Sequence, residues 1–169
     1  MKKTVTVMVS LCVLSGLIVA ALVLALPSAT AYAAPPAQQG SVRLENLLKR
    51  EQIILNNQQQ RLDLSNQVVT AAQTWIGRLQ AQGKDVSTLQ SALAAFQAGI
   101  AQAQGSFNTA QSVLNTHAGF DANGKVTDAA LALKTLIDAG KAERQFHLTI
   151  TQATIDFRQA VQQYRQNNK

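Results

Sequence analysis

From Ser41 to Lys169 the chain contains no proline, and its apolar residues recur in alternating steps of three and four. That period matches one face of an α-helix, whereas a half-buried strand would alternate every second residue. Three stretches carry it. In the first, about 41–82, Leu48, Leu55, Leu62, Val69 and Ile76 are each seven residues apart, flanked by Leu47, Ile54, Val68 and Trp75 on one side and Leu44, Ala72 and Leu79 on the other. In the second, about 86–118, Val86, Leu89, Leu93, Phe96, Ile100, Ala103, Phe107, Ala110, Leu114 and His117 form a heptad seam without a slip. In the third, about 127–167, Leu133, Leu136 and Ile137 lead into Phe146, Ile150, Ala153, Phe157, Ala160 and Tyr164.

The punctuation agrees. Gly83 and Gly119 end the first two stretches. Asp85, or Ser87 with Gln90 as a capping box, starts the second, and Thr127 caps the third with Val126 and Leu131 as a staple across it. Gly140 and the β-branched run Thr149–Thr151 weaken the third stretch, but one continuous helix is expected. Short connections force antiparallel neighbours. The expected fold is all-α: an antiparallel up-down-up three-helix bundle of coiled-coil type. Its helices reach roughly 50 Å or more at ~1.5 Å per residue.

The residues before this domain read as an export signal. Lys2 and Lys3 precede an uncharged, mostly apolar run from Thr4 to Leu26; Pro27 breaks it, and Ala29-Thr30-Ala31 and Ala31-Tyr32-Ala33 both suit signal peptidase. Residues 1–33 are therefore expected to be a cleaved signal peptide, with a membrane anchor through residues 4–26 as the alternative. Residues 34–40 (APPAQQG) read as a proline-containing linker. The expected location is outside the cytoplasm: periplasmic, in the cell envelope or secreted. Cys12, the single cysteine, falls in the signal, so no disulfide staples the mature domain.

Composition narrows the function. After cleavage, thirteen Lys and Arg stand against nine Asp and Glu, a net charge of +4 scattered along the chain. A nucleic-acid surface needs a clustered basic face, so none is expected. The loop from Gly119 to Asp128 has the centre of a calcium loop, but aligning Gly124 with the obligatory glycine puts Gly119 and Ala130 at the two anchoring ligand positions; an Asn-Gly turn fits better. His117 and His147 lie about 30 Å apart in such a bundle and cannot share one ion. No nucleophile–base set, phosphate loop or haem motif is present, so neither an enzyme nor a cofactor is expected.

Three local features remain. The polar run Asn56–Arg61 interrupts the first stripe, which makes Gln58, Gln59, Gln60 and Arg61 a candidate interaction region. The turn between the first two helices brings Glu51 to the level of His117, so a structural Glu51–His117 contact is expected. Together these point to a non-enzymatic bundle acting through helix-face contacts with a protein partner or itself, with a ligand- or metal-sensing bundle as a rival. Finally, Leu148-Thr149-Ile150-Thr151-Gln152 reads LTxxQ, once, and this resembles the motif that the Spy/CpxP family of periplasmic chaperones carries twice. The resemblance implies a holdase-type chaperone, with Leu148, Thr149 and Gln152 as its motif residues.

Overall fold

The computed structural model describes residues 36–168; the expected signal peptide, with Cys12 and both Ala-x-Ala sites, lies outside the described residues. Three helices make up the fold: α1 (Pro36–Ala81), α2 (Ser87–Asn115) and α3 (Ala129–Asn167). Each packs on the other two. None is long and apolar enough to cross a membrane.

The helix ends differ from the sequence reading in instructive ways. Helix α1 starts at Pro36, so residues 36–40 belong to its first turns rather than to an extended linker. Proline suits a first helical position because the N–H it lacks would have no intrahelical partner there. At the other end Gly83 (φ +74°) closes a Schellman motif: its N–H donates to the Gln80 carbonyl at 2.9 Å, and Lys84 N–H to the Leu79 carbonyl at 3.1 Å. Asp85 then accepts from Ser87 N–H at 3.0 Å, which holds its carboxyl below the usual range; the expected Ser87–Gln90 box does not form, since Gln90 Nε2 donates to Gln80.

Helix α2 stops at Asn115, three residues early, because His117 adopts a left-handed φ of +50°. Gly119 (φ +84°) follows, pressed so tightly on α3 that a Cβ would lie 2.1 Å from Ala132 N. The third helix begins two residues later than expected. Its cap is Asp128, not Thr127, with Oδ1 accepting from Ala130 N–H at 2.9 Å and Leu131 N–H at 3.0 Å. From there α3 runs unbroken past Gly140 and Thr149.

The core is in two parts. The smaller unites Leu48 of α1, Leu114 of α2, Phe120 of the loop, and Ala132, Leu136 and Ala139 of α3. The larger runs from Leu62 to Ile76 on α1, along α2 from Leu89 to Phe107, and from Phe146 to Tyr164 on α3. Thus α1 and α3 begin at the end where α2 finishes. Between the two clusters, α1 and α3 offer polar residues.

Candidate functional site

The gap in the core is a heptad row that changes character. Leu44, Glu51, Gln58, Ser65, Ala72 and Leu79 are seven residues apart on α1, and the second to fourth of them are polar. Its counterpart on α3 is the ladder Leu136, Ala139, Glu143, Phe146, Ile150, in which only Glu143 is charged. Both rows face inward, so Gln58, Ser65 and Glu143 are buried although polar. Ser65 donates back to the Arg61 carbonyl at 2.8 Å, a local solution for a buried hydroxyl. Gln58 and Glu143 have no such solution and open onto a cleft of about 430 Å³.

The floor is short of hydrogen-bond donors. Gln58 Nε2 donates to the Glu143 carbonyl at 3.1 Å, but Gln58 Oε1 and Glu143 Oε1 have no partner. Burial pushes the Glu143 carboxyl up to about 9; the facing Glu51 carboxyl adds to the shift, and Arg50 opposes it. Glu143 therefore stays protonated at neutral pH.

The rim is basic. Arg61 Nη1 donates to His147 Nδ1 at 3.2 Å and Nη2 donates to Thr151 Oγ1 at 3.0 Å. Arginine has no acceptor atom, so His147 Nδ1 is the unprotonated ring nitrogen. Arg50 and Arg144 also line the opening, and among the described residues none of the three arginines forms an ion pair. Gly140 completes the α3 wall, where a side chain would meet nothing within 4 Å.

Exposed aliphatic residues lie on both lips. On α1, Ile53, Asn57, Leu64 and Val68 are spaced four, seven and four apart and share one stripe; Asn57 lines the cleft, and the other three are exposed. On α3, Leu133, Ile137, Arg144, Leu148 and Ile155 form the matching stripe, with Arg144 in the cleft and the four aliphatics exposed. Leu133 and Ile137, read from sequence as leading into the core, face solvent instead. Ala132, Leu136 and Ala139 take the inner positions.

The sequence-predicted sites divide accordingly. Within the Gln58–Arg61 region, Gln58 and Arg61 line the cleft, while Gln59 donates to Asp63 one turn on at 2.9 Å and Gln60 is exposed. The expected Glu51–His117 contact is not formed. Glu51 faces Glu143 in the cleft, and the left-handed turn at His117 directs its Nδ1 to the Asn115 carbonyl at 3.2 Å. In the LTxxQ segment, Leu148 is exposed, Thr149 accepts from Gln145, and Gln152 donates to Asp156. Thr149 and Gln152 both lie inside the unbroken α3 and cap no helix end. In the loop, Asp121 Oδ1 accepts from Asn123 and Lys125 N–H at 2.8 Å each, an Asx-type turn, and Lys125 pairs with Glu45 at 2.8 Å, which lowers the Glu45 pKa.

Sequence reasoning missed Arg50, Glu143, Arg144 and His147. The signal for Glu143 was present: it occupies an inward step of an otherwise unbroken three–four ladder. Among the described residues no three His, Cys, Asp or Glu side chains are grouped to hold a metal ion. No family model, curated protein or solved structure matches the chain.

Proposed function

We propose that this is an exported, non-enzymatic bundle of the up-down-up coiled-coil type that docks another protein on its α1–α3 face. The observation that carries the reading is the pair of aliphatic stripes, Ile53, Leu64 and Val68 on α1 and Leu133, Ile137, Leu148 and Ile155 on α3, on either side of an arginine-rimmed cleft. Two parallel apolar lips with a charged centre suit an amphipathic helix laid along the groove. Self-pairing through this face would bring Arg50, Arg61 and Arg144 of two copies together, so charge complementarity favours a different protein with acidic residues at its centre. The basic start, apolar run and Ala-x-Ala sites support placing the encounter in the cell envelope or outside the cell.

The test is site-specific photo-cross-linking in the producing cell. Cross-linkers at positions 64 and 148 should trap one and the same partner, and one at Ala98 on the exposed side of α2 should not. Ile137→Glu with Leu148→Glu should abolish the capture while leaving the helical signal intact. Equal capture from position 98 would overturn the reading. The chaperone reading draws its support from Leu148, which heads the LTxxQ segment and is exposed on this same face. It requires the purified protein to suppress aggregation of an unrelated unfolding client, and the glutamate pair to abolish that too.

A further inference from the structure

The floor and rim of the α1–α3 cleft ask for opposite things, and that contradiction defines a ligand. Gln58 and Glu143 are each more than nine-tenths buried, and each leaves an oxygen without a hydrogen-bond donor. Gln58 Oε1 can only accept. Glu143 Oε1 has no partner either, and the Glu51 carboxyl lines the same cleft. A bare anion placed here would face Gln58 Oε1 and the Glu51 and Glu143 carboxyls. Three arginines without ion-pair partners surround the opening and can only donate, so a bare cation would be repelled at the entrance. Neither kind of ion suits both the floor and the rim.

We propose that the cleft binds a small zwitterion of amino-acid size, its ammonium group on Gln58 Oε1, Glu143 Oε1 and Glu51 and its carboxylate on Arg50, Arg61 and Arg144. The cleft volume of about 430 Å³ is ample for such a molecule. Gly140 keeps the α3 wall open, at a position where alanine would be the better helix former. Arg61 is already oriented by His147 and Thr151, so one arm of the carboxylate site is preorganised. The site requires no partner protein, and it stands or falls apart from the docking reading.

Calorimetric titration of the whole protein with L-glutamate, and separately with glutarate, tests it at pH 7 and low salt. Glutarate keeps both carboxylates and lacks only the ammonium. Glutamate should bind saturably, with glutarate weaker by about tenfold or more. Arg144→Gln should weaken glutamate by a similar factor. Arg144 is exposed and makes no hydrogen bond or ion pair among the described residues, so this variant should keep the parent melting temperature. Glutarate binding as tightly as glutamate would remove the ammonium role and overturn the proposal. So would unchanged affinity in Arg144→Gln, or no saturable glutamate binding up to about 10 mM.

Discussion

Two glycines inside helices face opposite surroundings, and between them they describe the molecule. Gly99 on α2 lies against α3, where an added Cβ would approach the Ala153 Cβ to 2.5 Å. Gly140 on α3 borders the cleft, where the same Cβ would meet nothing within 4 Å. The first glycine is there because two helices touch. The second has no packing reason and carries the usual helix cost of about 1 kcal/mol relative to alanine. Around Gly99 the α2–α3 seam is closed and apolar, with Phe96 stacked on Phe157 at 5.1 Å between centroids. The α1–α3 seam is interrupted at mid-length by a polar opening. A seam that only held the bundle together would gain by closing that opening.

The largest effect should come from emptying the closed seam. Phe96→Ala removes a buried ring and its stacked contact and should cost about 3–5 kcal/mol by chemical denaturation. A loss under about 1 kcal/mol would mean that the seam is as loose as the cleft. Overfilling it comes next. Gly99→Ala puts a methyl group against Ala153 and should destabilise by about 1–3 kcal/mol, despite alanine's better helix propensity. A stabilising Gly99→Ala would erase the distinction between the two seams.

The closed seam was legible in the sequence, and the cleft only in outline. Every α2 position from Leu89 to Leu114 in the three–four ladder is buried, because on that helix the large apolar residues and the packed face coincide. On α3 they part company. Leu133 and Ile137 are the conspicuous apolar residues of its first turns, yet Ala132, Thr135 and Ala139 are buried. Close packing beneath the loop favours small side chains, and hydrophobicity alone cannot report that. The polar run at Asn56–Arg61 pointed to the right part of α1. It did not reveal the partners on α3, because Glu143 and His147 are about 85 residues away in the chain and meet α1 only through the third helix. The Glu51–His117 pairing failed for a local reason, since one left-handed residue ends α2 before its last expected turn.

Acidity should distinguish the two seams as well, because among the described residues the cleft holds a buried carboxyl and the α2–α3 seam does not. Glu143 faces Glu51, Arg50 and Arg61 across the cleft and has Arg144 and His147 beside it on α3. Its carboxyl is raised from 4.5 when free to about 9 in the folded chain. The folded state thus holds a proton that the unfolded state releases. The stabilising effect is complete below about pH 4.5 and is lost progressively as pH rises towards 9. Glu143→Gln keeps the shape of the protonated acid and removes the titration. Its melting temperature should exceed the parent's at pH 8–9, and the gap should shrink towards pH 5. A constant gap across that range would show that Glu143 does not titrate as a buried acid.

Filling the open side should have the smallest effect, with a sign opposite to that at Gly99. Gly140→Ala adds a methyl group where nothing lies within 4 Å and restores a good helix former at mid-helix. It should stabilise the protein by about 0.5–1 kcal/mol, read as a higher denaturation midpoint with an unchanged slope. The same substitution narrows the wall beside Glu143, so any ligand using the cleft should bind less well to the more stable protein. Stability gained together with binding lost is the signature of a residue kept for function. Stability gained with binding untouched would confine the ligand to the arginine side of the opening.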